Sequence, residues 1–415
     1  MKYLEMKRVV VTGLGCITPV GNDVDAFWQS LIAGKHGFGE ITKFDASDLK
    51  VKIAAEVKDF NPELYIEKSE IRKTDLFAQY ALAAAAQAVE ESGIINNIAS
   101  NRFGVYVGSG IGGISTFMTE TEKLLTKGAA RISPFFIPMM IANMGSALIA
   151  MKHGAQGVNL PIVSACATAT HAIGEAFRAI KFGYADAIIA GGAESTINPL
   201  AMGGFINCMA LSTTNDPDNS SIPFDKRRNG FVMGEGAGII VLEEYEHALK
   251  RNVKIYCEIS GYGNTNDAHH ITAPHPEAAG GAEMIRLAMA ESGLPADERL
   301  YINPHGTSTP LNDKAETLAI KTVFGDMAYK IPISSTKSMI GHMLGAAGGA
   351  EAITAIKTIE TGIIPPTAGY KEPDPECDLD YVPNIARKAD IDKALSISLG
   401  FGGHNAGIVF NKLKV

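Results

Sequence analysis

One cysteine and two histidines stand in similar surroundings along this chain, and their chemistry belongs together. Cys166 lies in Ser164-Ala-Cys-Ala-Thr-Ala169, after the apolar Leu160-Pro-Ile-Val163 and before an amphipathic pattern that ends near Gly183. A thiol that begins a helix feels the positive end of the dipole and has free backbone N–H groups beside its sulfur. That position predicts a lowered pKa and a nucleophile. His305 lies in Asn303-Pro-His-Gly-Thr-Ser-Thr-Pro310, at the end of the apolar run Leu300 to Ile302, where α/β folds place ligand-binding loops. His342 closes Ser334-Ser-Thr-Lys-Ser-Met-Ile-Gly-His342, again strand, loop and helix start. A nucleophile with two proton-handling partners is what acyl transfer needs. Gly400-Phe-Gly-Gly-His-Asn405 reads either as a plain turn or as a loop whose backbone N–H faces an oxyanion.

Other candidate sites carry less. Gly108-Ser-Gly-Ile-Gly-Gly113 fits a dinucleotide fingerprint in form, but no strand ending in Asp or Glu follows about 20 residues on to bind a ribose. His269, His270 and His275 have the spacing of no common metal site and read as a loop. The five cysteines include no CxxC pair, which points to a reducing, cytoplasmic compartment. Lys2, Lys7 and Arg8 precede only a short apolar run, Val9 to Val11, so no signal peptide is expected. Between Arg131 and Lys152 lie 20 uncharged residues, but with Pro134, Pro138 and Asn143 among them they read as a helix buried in a core or interface, not a membrane span. A net charge of −8 without charge runs excludes a nucleic-acid partner.

The elements that must position these groups alternate in type, predicting an α/β protein with mainly parallel, buried strands. Expected strands are Arg8 to Thr12, Phe103 to Val107, Leu160 to Ser164, Ala187 to Ala190, Ala237 to Glu243, Lys254 to Tyr262, Ile331 to Ser334 and Ala406 to Phe410. The clearest helix runs from an N-cap at Thr74 to Gly93. The chain also repeats itself. Glu175-Ala-Phe-Arg-Ala-Ile-Lys181 matches Glu351-Ala-Ile-Thr-Ala-Ile-Lys357 at an offset of 351 − 175 = 176, and Ala237 to Val241 matches Ala406 to Phe410 at 406 − 237 = 169. These matches suggest duplication. Nine residues before the two matched glutamates stand Cys166 and His342.

SACATA at Cys166, PFDKRRNGFVMGEGAG from Pro223, NPHGTSTP from Asn303, SSTKSMIGHMLGAAG from Ser334 and GFGGHN from Gly400 together resemble the elongating, type II β-ketoacyl-acyl-carrier-protein synthases of the thiolase superfamily. The resemblance covers nearly the whole chain. It implies a thiolase-like α/β fold, with duplicated βαβαβαββ halves at 1–255 and 256–415 forming a five-layered αβαβα body, and a homodimer. It implies decarboxylative condensation of malonyl-acyl-carrier protein with an acyl thioester on Cys166. His305 and His342 would stabilise the enolate, Lys337 and Glu351 would organise the site, and Phe401 would gate it and lend a backbone N–H.

Thr307, Thr309 and Thr272 match positions that bind substrate, and Ile111, Phe136, Phe205 and Leu344 match an acyl pocket. Arg72, Lys73 and Arg131 match part of a basic patch that docks the acidic carrier protein, with Ala130 and Met209 departing from it. No cofactor is expected beyond a Na+ or K+ held by Asn303, Glu351 and Ser396, near which Ile397 departs from the commoner Asn. The same resemblance separates near relatives. Two histidines argue against the initiating synthases, the C-terminal half lacks the second cysteine of degradative thiolases, and Cys166 argues against an inactive partner subunit.

Overall fold

Eight strands order the computed structural model, which describes residues 6–413. They are β1 (Val9–Ile17), β2 (Phe103–Gly108), β3 (Ala187–Glu194), β4 (Gly236–Glu244), β5 (Cys257–Asn266), β6 (Leu300–Asn303), β7 (Lys393–Gly400) and β8 (His404–Asn411). Lys2 of the N-terminal basic set lies outside the described residues. The order β2-β3-β4-β1-β5-β8-β7-β6 is a palindrome once β1–β4 are matched to β5–β8. In each half the outer pair is parallel and the next two pairings are antiparallel, so the sheet is mainly antiparallel where mainly parallel strands were expected. The halves meet where Val9–Val11 pair with Cys257–Ile259. Duplication, suggested by two short sequence matches, is thus repeated in the direction of every main strand pairing.

Five helices complete the layers: α1 (Leu76–Ser92), α2 (Thr168–Lys181), α3 (Ala279–Ser292), α4 (Pro310–Phe324) and α5 (Ala347–Thr361). Helices α2 and α5 pack on each other and on strands of both halves, so they form the middle layer. Their sequences fit: buried residues cover most of both helices, as a helix enclosed on all sides requires. Helix α1 covers β1 and β4, and α3 covers β5 and β8, which gives the five layers. Glycine lets those outer helices sit close. A Cβ on Gly13 or Gly15 of β1 would stand 2.1 or 2.0 Å from the carbonyl oxygens of Ala88 or Ala84. Gly261 and Gly263 of β5 meet Ala288 and Met284 of α3 in the same way, at 2.1 and 2.0 Å.

Several expected elements move. The N-cap of α1 is Asp75, whose carboxylate accepts the Phe77 N–H, while the Thr74 hydroxyl donates back to Glu70 and Ile71; Gly93 ends the helix at φ 57° as expected. The segments 160–164 and 331–334 are extended but are not strands. Each is held by one isolated parallel bridge, Asn159 to Val105 and Ile333 to Ile302. Pro161 and Pro332 lack the N–H that a longer ladder would need. The strand expected from Lys254 starts at Cys257 and runs on to Asn266. The uncharged stretch holds two helices, Phe136–Met140 and Met144–His153, in place of one. Among the described residues no helix is long and apolar enough to cross a membrane.

The pairing of Cys166 with His342 across the repeat is also corrected. Short 3-10 turns, Ala165–Ala167 and Leu344–Ala346, lead into α2 and α5, and each starts with a left-handed residue, Ala165 at φ 50° and Leu344 at φ 45°. Their offset is 344 − 165 = 179, so the counterpart of Cys166 is Gly345. The matched helix sequences are therefore out of structural register by three residues, close to one turn.

Candidate active site

Ser164 leaves the extended segment at φ −147°, ψ 46°, Ala165 turns left-handed, and Cys166 follows in the short turn that becomes α2. A non-glycine residue in that region costs about 1 kcal/mol. Thr168 secures it: its hydroxyl donates to the Ala165 carbonyl at 2.7 Å and accepts the Ser164 N–H at 2.9 Å. The thiol is therefore presented on a sharp bend at the start of a buried helix, as expected.

His305 leaves the end of β6, and its loop is fixed from α4. Glu316 accepts the N–H groups of His305 and Gly306 at 2.6 and 2.7 Å, and Asp313 accepts that of Ser308 at 3.2 Å. His342 is pinned by its own backbone, giving its N–H to Val232 at 2.8 Å and accepting that of Gly234 at 2.9 Å. Its Nδ1 accepts the Leu344 N–H at 3.2 Å, so the neutral ring carries its hydrogen on Nε2. The two imidazoles cross at 82° with centroids 5.1 Å apart. The Cys166 sulfur and one nitrogen of each ring lie within 4.8 Å of one another. This composition would suit a soft metal ion, but His342 already spends its Nδ1 lone pair on the Leu344 N–H and carries a hydrogen on Nε2, and a metal needs a free lone pair.

Burial dominates the electrostatics. It pushes the Cys166 thiol up to about 12, while the Lys337 charge and the backbone N–H groups of Phe401 and Cys166 pull the other way. The lowered value expected from the helix start is thus outweighed by desolvation. Burial, with help from Lys337, holds both His305 and His342 well below the ordinary imidazole value, so both are neutral. Lys337 and Glu351 form an ion pair with both side chains fully buried. Burial raises the Glu351 carboxyl and the lysine opposes it.

The expected cation ligands meet a direct test of fit. Asn303 and Ser396 are register partners on β6 and β7, and Glu351 lies on α5, which packs against both strands. Asn303 Oδ1, Ser396 Oγ and Glu351 Oε2 are all buried without a hydrogen-bond partner. Three orphaned oxygens of this kind suit a hard monovalent ion, and each would otherwise cost about 1–3 kcal/mol.

A cavity of ≈ 390 Å³ opens over the triad and gathers Thr272, Thr307, Thr309, Phe205 and Phe401 on its wall. The Thr307 and Thr309 hydroxyls are 2.9 Å apart. Leu344 and Phe205 share one apolar cluster with Cys166. Ile111 and Phe136 are not brought to this cavity: Ile111 gives its N–H to Glu194, and Phe136 packs near Phe117, with centroids 6.4 Å apart. Arg72 and Arg131 are exposed, whereas Lys73 is tied to Glu70 at 2.7 Å. Met209, 88 % exposed, stands on the cavity rim.

The buried carboxylates Glu194, Asp313 and Glu316 escaped the sequence reading. Glu194 ends β3 and accepts from the Ser109 hydroxyl and the N–H groups of Gly110, Ile111 and Gly345, at 2.8, 2.8, 3.2 and 3.0 Å. It ties the loop after β2 to the start of the second-half turn behind His342. It also takes the amides that a phosphate would need at the glycine-rich loop, which removes the dinucleotide reading. The available signals were an acid closing the apolar run Ala187 to Ala193 and, for Glu316, an acid on the apolar face of α4.

The fold and the buried Cys-His-His cluster define a thiolase-like condensing enzyme, and the comparisons with known proteins agree. The β-ketoacyl synthase N-terminal domain family matches residues 6–248 and the C-terminal domain family matches 256–371. The chain belongs to the β-ketoacyl synthase family. It is 50% identical to a 3-oxoacyl-[acyl-carrier-protein] synthase 2 of Synechocystis, over 100% of both chains. Among solved structures, the ishigamide ketosynthase/chain length factor superposes with TM-score 0.92 at 36% identity, covering 99% of this chain and 100% of that one. A type II polyketide synthase ketosynthase, solved in complex with its acyl-carrier protein and bound to the hexaketide, gives 0.89 at 34%, covering 98% and 100%.

Proposed function

We propose that this chain elongates acyl chains by decarboxylative condensation on acyl-carrier protein in fatty acid synthesis, with Cys166 as the nucleophile in the first half and His305 and His342 as enolate donors in the second. The single observation that carries the residue roles is the convergence of the sulfur and both imidazoles within 4.8 Å in a buried site. Cys166 attacks the acyl thioester, the acyl group moves to sulfur, and the thiol proton leaves with the carrier thiol. The oxyanion of that step takes the backbone N–H groups of Cys166 and Phe401. Malonyl-carrier protein then loses CO2, and the enolate oxygen receives N–H bonds from the two neutral imidazoles. The carbanion attacks the acyl-enzyme, forming a β-ketoacyl product two carbons longer and returning the sulfur as thiolate, which takes up a proton.

Lys337 and Glu351 hold the pair in place, and Thr272, Thr307 and Thr309 line the path of the substrate arm. Asn303, Glu351 and Ser396 would hold Na+ or K+, which would satisfy their unpartnered oxygens and take part in no step. An acyl-carrier protein as partner is supported by a structural neighbour solved with its own acyl-carrier protein, and here it would dock through Arg72, Lys73 and Arg131. A homodimer fits the open edge at residues 159–163, where Leu160 and Val163 are 51 % and 56 % exposed and no strand pairs outside among the described residues. A cytoplasmic setting suits five free cysteines. The test is intact mass after incubation with a long-chain acyl-carrier protein. One added acyl group, absent in Cys166→Ala, supports the reading; no gain across several chain lengths would sink it.

A further inference from the structure

A third buried histidine lies behind the nucleophile and takes no part in the reaction above. His171 is on α2, one and a half turns beyond Cys166, and is about 5 % exposed. Its Nδ1 faces the Ser164 hydroxyl at 2.7 Å and its Nε2 faces the side-chain oxygen of Asn264 at 3.1 Å. The only consistent assignment has the Ser164 O–H donating to Nδ1 and the Nε2–H donating to Asn264. Burial lowers the imidazole to about 4, which keeps the ring neutral and this pattern fixed.

The two ends of this chain of bonds lead to the two backbone donors of the acyl-transfer step. Ser164 is the residue where the bend begins, two before Cys166. Asn264 is on β5, in register with Ala406 of β8, and β8 starts immediately after the Phe401 turn. Asn266, two residues further along β5, holds that turn by donating to the Gly402 carbonyl at 2.9 Å. The bend and the turn also touch directly: a Cβ on Gly400 would lie 2.8 Å from the Ser164 carbonyl and 3.4 Å from the Cys166 nitrogen.

We propose that His171 is a positioning residue for acyl transfer, bridging Ser164 and Asn264 so that the N–H groups of Cys166 and Phe401 converge on one oxyanion. The proposal rests on Cys166 being the acylated residue. A displacement of this pair weakens most a step in which that oxyanion forms. It leaves enolate stabilisation, which uses His305 and His342, and it touches alkylation of the sulfur, which forms no oxyanion, only through the pull of the two N–H groups on the thiol.

The experiment uses the full chain with Ser164→Ala, which removes one hydroxyl, and His171→Ala. Three rates are compared with wild type: acyl-enzyme formation from acyl-carrier protein by quenched intact mass, alkylation of Cys166 by iodoacetamide, and CO2 release from malonyl-carrier protein. Acylation is expected to fall about tenfold to a hundredfold, the scale of a misplaced or lost oxyanion donor, with CO2 release within about twofold and alkylation falling less than acylation. Unchanged acylation in Ser164→Ala overturns the proposal, and so does an equal fall in all three rates, which would mean general disorder of the site. Failure of the wild type to acylate would instead overturn the assignment of Cys166.

Discussion

Replacing Glu194 tests whether one buried carboxylate holds the two catalytic halves together. Its Oε1 accepts from Ser109 and Ile111, and its Oε2 accepts from Gly110 and Gly345. In Glu194→Gln one orientation sets the amide nitrogen against the Gly110 and Gly345 N–H groups, and the other lets the Ser109 hydroxyl accept it but orphans the Ile111 N–H and the hydroxyl's own hydrogen, so either leaves two donors unpaired. At about 1–3 kcal/mol for each orphaned buried donor, the cost is about 2–6 kcal/mol. Glu194→Ala orphans four donors, offset in part by water entering the space, and costs at least as much. An unfolding entropy of about 2.1 cal/mol/K per residue makes 1 kcal/mol worth about 1 °C in a 415-residue chain, so Glu194→Gln loses about 2–6 °C in its thermal midpoint. The functional loss is directional. Gly345 follows Leu344, whose N–H sets the His342 tautomer, so decarboxylation of malonyl-carrier protein falls more than Cys166 acylation does. A midpoint within 1 °C of wild type, or an equal loss of both half-reactions, would refute the reasoning.

Glu316 supplies a pH test. Burial holds its carboxyl at about 8 against an ordinary 4.5, so the folded state binds that proton more tightly. Its contribution is fully present below about pH 4.5 and is lost as pH rises through about 8. Glu316→Gln cannot ionise, so between pH 5 and 8 its thermal midpoint changes less steeply than that of wild type; parallel curves would count against the assignment. Exchanging Na+ and K+ for choline at constant ionic strength lowers the wild-type midpoint, and Asn303→Ala abolishes the difference; insensitivity of the wild type argues that the orphaned oxygens hold no ion. Leu160→Glu combined with Val163→Glu converts a dimer to a monomer by light scattering, and an unchanged mass would place the interface elsewhere.

Much of this molecule was legible along the chain because local chemistry announced it. Cys166, His305 and His342 each sit in a short motif at a change from strand to helix, and strand, loop and helix signals are local. Two short matches hinted at the repeat, but the one between α2 and α5 is three residues out of structural register, and only the strand pairing fixed how the halves correspond. Tertiary structure decided what depends on distant neighbours. Asp75 displaced Thr74 as the cap because its carboxylate reaches the Phe77 N–H. Segments 160–164 and 331–334 shrank to single bridges around prolines. The thiol expected at a lowered pKa is raised because burial is set by the whole fold and outweighs a helix terminus. Glu194, Glu316 and His171 carry no motif: each is an isolated polar residue in an apolar setting, and its partners lie on other elements. Sequence determined which groups could react, whereas only packing decided their protonation, their orientation and the buried carboxylates that hold them.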